Sequence, residues 1–229
     1  MSEEIKNMFS VIARKYDLIN DVLSFGIHRR WRKNTVRLAE VKEGMRILDI
    51  ACGTGDLAFE FKKAVGKDGN VIGVDFSEGM LELARIKAEQ KGINVEFIND
   101  DALNLPYENN RFDRASIAFG IRNVDDIITC LKEMARVVNQ EGKVVVLEFG
   151  TPTGIFKFFY KLYSKFIIPL IGKLISYDIS SYHYLVDTIS KFPYGENFLE
   201  LMSEANVFTE SKSYKMTFGI VYLYIGIVK

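Results

Sequence analysis

An α/β fold, doubly wound around a mostly parallel sheet of seven strands, is predicted for this chain on three observations. Strand-like and helix-like runs alternate from about Gly44 to Gly150, the first strand ends in a glycine-rich turn, and the last twenty residues are rich in β-branched and aromatic side chains. The apolar run MRILDIA opens the alternation, followed by helix-like DLAFEFKKAV, strand-like NVIGVD, helix-like EGMLELARIKAEQKG and strand-like NVEFIN. FDRASIAFG reads as a fourth strand, DDIITCLKEMARVV as a helix with apolar residues at helical spacing, and KVVVLEFG as a fifth strand. Parallel strands joined by right-handed crossovers place helices on both faces of the sheet. ESKSYKMTFGIVYLYIGIVK then supplies two more strands, with Phe218-Gly219 as the break in an antiparallel hairpin at the sheet edge.

Composition narrows the function classes. With 229 residues, 48% apolar and 26% charged, the chain is neither disordered nor collagenous nor a coiled coil. Four prolines and no Ser/Gly-rich linker give no place to divide it, so residues 1–229 are read as a single domain. Thirty basic residues balance thirty acidic ones, which supplies no global field for nucleic acid. Cys52 and Cys130 lie 78 residues apart with only two histidines in the chain, too few soft ligands for a structural zinc site and no disulfide framework, so no metal is expected. The start MSEEIKNMFS carries glutamates where a signal peptide would carry positive charge, which points to a reducing cytoplasm. Residues 1–43, read as a helical cover, and the helical insertion 152–193 fall outside the alternation. Both are placed over the crevice at the strands' carboxyl ends, where ligands of such folds bind.

The most informative run is Ile47-Leu-Asp-Ile-Ala-Cys-Gly-Thr-Gly-Asp56. Glycines at the end of a strand let the backbone approach a ligand, and the helix that follows offers unpaired N–H donors. Asp75 ends the next strand twenty residues after Gly55, where a carboxylate can accept hydrogen bonds from ribose hydroxyls. An adenosine-containing cofactor on a Rossmann-like sheet follows. Taken alone, Gly53-x-Gly55-x-x-Ala58 also fits the loose dinucleotide fingerprint, which leaves NAD open at this point. Asp49, an acid inside a strand, needs a partner when buried, and a cofactor with positive groups supplies one.

The stretch ILDIACGTGD, with VIGVDFSEGML and NDDALNLPY, resembles the first three motifs of class I S-adenosylmethionine-dependent methyltransferases, with Ala51 where many members carry glycine. By that resemblance Gly53, Thr54 and Gly55 face the methionine part, Asp75 the ribose, and Asp101 with Ala102 the adenine. Four further runs are more specific. Tyr16-Asp17-Leu-Ile-Asn20 with Ser24-Phe-Gly-Ile-His28-Arg-Arg-Trp31, then Ala118-Phe-Gly-Ile-Arg122-Asn123, Arg136-Val-Val with Leu147-Glu148-Phe149, and Thr217-Phe-Gly-Ile-Val221 resemble the menaquinone and ubiquinone biosynthesis C-methyltransferases. The resemblance covers nearly the whole chain. It departs at Ala118, a serine in some members, at Asn139-Gln140-Glu141, where Lys-Pro-Gly is usual, and at Gly150, where serine is usual.

The resemblance implies S-adenosyl-L-methionine as cofactor and, as substrate, a lipophilic polyprenyl quinol lacking its ring methyl, demethylmenaquinol before its benzoquinol counterparts. Methylation of another small acceptor, or cofactor binding without turnover, are the alternatives. A proton must leave the ring hydroxyl before the neighbouring carbon attacks the methyl group, so a base or a water path is needed. Arg122, Asn123, His28 and Tyr184, with His183, are the candidates. Arg122 stabilises a quinolate rather than acting as the base, unless it only pairs with Asp125 or Asp126. In IFKFFYKLYSKFIIPLIGKLI, lysines 157, 161 and 165 recur every four residues among apolar ones. That spacing predicts either a helix lying in a membrane interface through residues 155–175 or a lid packed on the domain. The reading leaves room for a homodimer.

Overall fold

The computed structural model describes residues 17–18, 20–152, 154–163 and 180–229. Five strands, β1 (Arg46–Ile50), β2 (Asn70–Asp75), β3 (Glu96–Asn99), β4 (Phe112–Ala118) and β5 (Val138–Phe149), pair in parallel. β6 (Phe208–Met216) and β7 (Val221–Val228) form an antiparallel pair, and β7 joins β5 antiparallel. The order across the sheet is β3-β2-β1-β4-β5-β7-β6. The predicted fold class therefore holds, hairpin included, with Thr217–Gly219 forming the break as a single 3-10 turn in which Phe218 takes a left-handed φ of 57°. Strand order reverses between β1 and β4, which opens a crevice at their carboxyl ends.

Helices cover both faces because the central strands are apolar on both sides. Leu48, Ile50, Ile117, Val144 and Val146 pack on α4 (Ile127–Val137) and α7 (Glu196–Ala205). Ile47 and Val71 pack on α2 (Asp56–Val65) and α3 (Glu78–Lys91). Asp126 caps α4 by accepting from the Thr129 amide at 3.0 Å. α7 was not read from the sequence, although Phe198, Met202 and Ala205 recur at helical spacing and are all buried.

The N-terminal cover contributes α1 (Ile27–Leu38), which buries His28, Trp31 and Thr35 and exposes Arg29, Arg30, Lys33 and Arg37. Trp31 joins a third core cluster with Val145, Leu147 and Leu223. Its indole Nε1 donates to Thr217 Oγ1 at 2.8 Å, tying the cover to the turn of the C-terminal hairpin. The insertion contributes α5 (Ile155–Leu162) and α6 (Ser180–Lys191). Lys165 and Pro169, like Phe9 and Tyr16, lie outside the described residues. Because Trp31 is 5% exposed and is the cover's large apolar anchor, Trp31→Ala should cost about 3–5 kcal/mol of stability in urea denaturation.

Candidate active site

The turn after β1 is tight because its backbone is left-handed at Ala51 (φ 50°), Gly53 (φ 55°) and Gly55 (φ 81°). A Cβ on Gly55 would stand 2.7 Å from the Phe97 ring, so glycine is required there twice over. Ala51 adopts a conformation that favours glycine, and its methyl fills the space a Cβ on Gly120 would need, at 2.5 Å. Small residues thus meet small residues where β1 and β4 part.

An open cleft lies here, lined by Ala51, Val74, Asp75, Asp101, Ala102 and Val124 among others. Asp75 accepts from the Gly53 amide and from the Ser77 amide, both at 2.8 Å. Burial pushes its carboxyl above the usual range against those two amides. A carboxylate can accept more bonds than these, as a ribose hydroxyl would require. Asp101 accepts from the Leu103 amide at 3.0 Å, which fixes its carboxylate at the cleft wall. Asp49 is 1% exposed; Oδ1 accepts from Ser116 Oγ at 2.6 Å, while Oδ2 has no partner. Burial pushes this carboxyl up to about 7 in spite of the Ser116 hydrogen bond.

A polar clamp that the sequence reading missed holds the cover against the turn. Thr54 Oγ1 donates to Asp17 Oδ1 at 2.7 Å, and Lys87 Nζ reaches Asp17 at 2.8 Å, Thr54 at 3.0 Å and Asp56 at 2.5 Å. Arg32 on α1 pairs with Asp56 at 2.7 Å. Burial alone would raise the Asp56 carboxyl, but Arg32 and Lys87 hold it below its usual range.

The candidates on the substrate side fall into two groups. Asn123 is 6% exposed, and Tyr184 Oη on α6 donates to its Oδ1 at 2.9 Å, which brings the insertion and the loop after β4 together. Burial raises the Tyr184 phenol. Arg122 corrects one expectation: its ion-pair partner is Glu148, at 2.7 Å, and not Asp125 or Asp126. The same nitrogen donates to the Phe119 carbonyl at 2.6 Å, and the guanidinium lies 5.4 Å from the Phe149 ring centre. Phe119 and Phe149 pack at 4.5 Å, with Trp31 at 6.1 Å and 6.5 Å from them, so three elements build an aromatic wall beside Arg122. His28 is buried rather than a surface helix cap, since its Nδ1 meets Ser24 Oγ at 2.5 Å and its Nε2 lies 3.4 Å from Asp21. Burial lowers its pKa. The His183 side chain lies outside the described residues.

The profile of the ubiE/COQ5 methyltransferase family matches residues 1–228. The chain belongs to that family. Ubiquinone/menaquinone biosynthesis C-methyltransferase UbiE of Bdellovibrio bacteriovorus is 46% identical over 228 residues, covering 99% of this chain and 97% of that protein. Demethylmenaquinone methyltransferase of Bacillus mycoides is 43% identical over 227 residues, 98% of this chain and 95% of that one. A solved SAM-dependent methyltransferase of Thermotoga maritima shares the fold with a TM-score of 0.68 at 21% identity, covering 97% of this chain and 99% of that one.

The protein is thus a methyltransferase, and its cofactor is S-adenosyl-L-methionine. The residues present fit that cofactor. The unpartnered Oδ2 of Asp49 and the carboxylates of Asp75 and Asp101 suit a nucleoside that carries positive charge.

Asp49 also costs stability. Its folded-state carboxyl titrates near 7, above the ordinary value of 3.8, so the favourable contribution of the protonated form is complete below 3.8 and is lost as pH rises through 7. Replacing Asp49 by Asn removes that loss. In urea denaturation the stability of Asp49→Asn relative to the wild type should increase by roughly 2–4 kcal/mol between about pH 4 and about pH 8. An unchanged difference would mean that Asp49 titrates normally.

Proposed function

We propose that this methyltransferase transfers a methyl group to a ring carbon of a demethylated polyprenyl quinol, converting demethylmenaquinol to menaquinol. The observation that carries the reading is the meeting of Asn123 and Tyr184 beside Arg122 and an aromatic wall, at the carboxyl end of β4 and one strand from the cofactor cleft. The names of its relatives, which concern menaquinone and ubiquinone biosynthesis, support the same substrate class.

Bound in the cleft, S-adenosylmethionine supplies a methyl group already activated on a sulfonium. Gly53, Thr54 and Gly55 hold its methionine part, Asp75 its ribose and Asp101 with Ala102 its adenine, while Asp49 faces its positive charge. Tyr184 occupies Asn123 Oδ1, and the Asn123 Nδ2 donor is suited to a ring oxygen. Arg122 stays protonated and stabilises the quinolate. Trp31, Phe119 and Phe149 exclude water from the ring. His28 holds the entry of the cover through Ser24 and Asp21. The whole chain, 1–229, acts as one domain, with 1–43 and 152–193 as its covers.

The ring carbon is nucleophilic only in the reduced acceptor. Oxidised demethylquinone should therefore show no methylation until a reductant is added, as followed by mass spectrometry with labelled S-adenosylmethionine. Equal rates with both forms would contradict the reading.

The prenyl tail resides in lipid, and the insertion is suited to reach it. Phe156, Phe158 and Leu162 of α5 are 42%, 66% and 48% exposed, and Lys157 stands exposed among them. Phe218 stacks on Phe156 at 3.8 Å, and exposed Phe25 lies 6.2 Å from Tyr163, which extends the apolar surface to the cover. No helix among the described residues is long and apolar enough to cross a membrane. The surface reads as a peripheral contact on the inner face of the membrane, made from the cytoplasm and compatible with a monomer or a homodimer. Changing lysines 157, 161 and 165 together to glutamate should release the protein from anionic vesicles, at about 1 kcal/mol per charge. Long-tailed quinols should then turn over slowly and a short-tailed soluble analogue as before. Equal loss on both substrates would make the stretch a structural lid.

A further inference from the structure

Glu148 lies at the carboxyl end of β5 with no exposed surface, and its Oε2 has no hydrogen-bond partner. Its Oε1 accepts from Arg122 Nη1 at 2.7 Å and from the Phe149 amide at 2.8 Å. The Arg122 side chain is itself buried, and its Nε is also without a partner. A buried ion pair kept for structure is best satisfied by a two-pronged contact that uses both oxygens. Here the contact is single, so the pair keeps one acceptor and one donor for a third group.

The other titratable groups nearby do not compete for that acceptor. Tyr222 faces Glu148 across β7, with Tyr224 two residues further on. Burial pushes both phenols above their ordinary range, and Tyr224 Oη accepts from the Gly195 amide at 2.7 Å. Tyr184 donates to Asn123. Among the described residues, Arg122 is the cation that faces Glu148.

We infer that Glu148 is the proton acceptor of the reaction and that Arg122 passes from the Glu148 carboxylate to the quinolate as its counter-ion, an inference that rests on the quinol reading above. The quinol O–H bond breaks, and its proton goes to Glu148 Oε2. The oxygen's electron pair moves into the ring, whose adjacent carbon forms the new C–CH₃ bond while the C–S bond breaks and its pair returns to sulfur. The proton on the methylated carbon then leaves to solvent, and the restored ring oxygen takes back the proton from Glu148. One proton is released per methyl transferred. The guanidinium is paired with an anion before and after the first step, so no uncompensated buried charge is created. Burial holds the Glu148 carboxyl above its ordinary range in spite of Arg122, the direction a base working near neutrality needs.

Glu148→Gln keeps the oxygen that accepts from Arg122 and the Phe149 amide but cannot take a proton. With demethylmenaquinol as substrate, kcat should fall by about 10²–10⁴-fold with KM and cofactor affinity unchanged, and the residual rate should climb with pH as the quinol ionises by itself. Wild-type kcat and pH profile in the Gln variant would overturn the inference, as would loss of cofactor binding in step with activity, which would make Glu148 structural. If the variant does not fold, the wild-type profile decides. At saturating cofactor, and equally in an Asp49→Asn background, kcat is expected to fall as the pH is lowered, and a flat profile overturns the inference. A wild-type chain that methylates no quinol would instead overturn the quinol reading itself.

Discussion

A carboxylate sealed inside a sheet, with one oxygen unpartnered, is the constraint around which the rest of this structure is arranged. Asp49 sits where β1 parts from β4, and among the described residues Ser116 is the side chain that hydrogen-bonds it, with Oδ2 left without a partner. Such a group destabilises the empty fold, so the surrounding core must supply the difference. It does so with β1 and its neighbours buried on both faces and with left-handed residues that bring the backbone close to the cleft. A positive charge brought beside an unpaired buried carboxylate offsets such a penalty, and a neutral or anionic group does not.

The covers act on this centre through different forces. α1 is anchored by apolar burial of Trp31, whereas the contact between the cover and the glycine turn is polar, through Asp17, Thr54, Lys87, Asp56 and Arg32. Partly exposed ion pairs contribute roughly 0–1 kcal/mol each, so the apolar anchor outweighs any one contact of the clamp. On the other side Tyr184 of α6 donates a hydrogen bond to Asn123.

The strands and the glycine turn were legible because their causes are local. Alternating periodicity marks β1 to β5, and a tight turn needs Gly53 and Gly55 whatever surrounds it. Asp75 was legible because its distance from the turn is set by one helix and one strand. The partner of Arg122 was not. Asp125 and Asp126 are adjacent in sequence, but Asp126 is committed to capping α4, and the buried acid that faces the guanidinium comes from the neighbouring strand 26 residues later. The clamp joins residues up to 70 apart, beyond the reach of any periodic signal. α7 carried a readable helical pattern. Gly150, which departs from the family's serine, has a structural reason: a Cβ there would stand 2.6 Å from Tyr222.

Calorimetric titration of S-adenosylmethionine in buffers of different ionisation heat counts the protons that binding displaces, and so reads the Asp49 carboxyl itself. If Asp49 meets the cofactor's positive charge, binding near pH 6.5 should release roughly half a proton or more, release should vanish by about pH 9, and Asp49→Asn should abolish it. Binding with no proton release at either pH, or with the same release in the variant, would contradict the account.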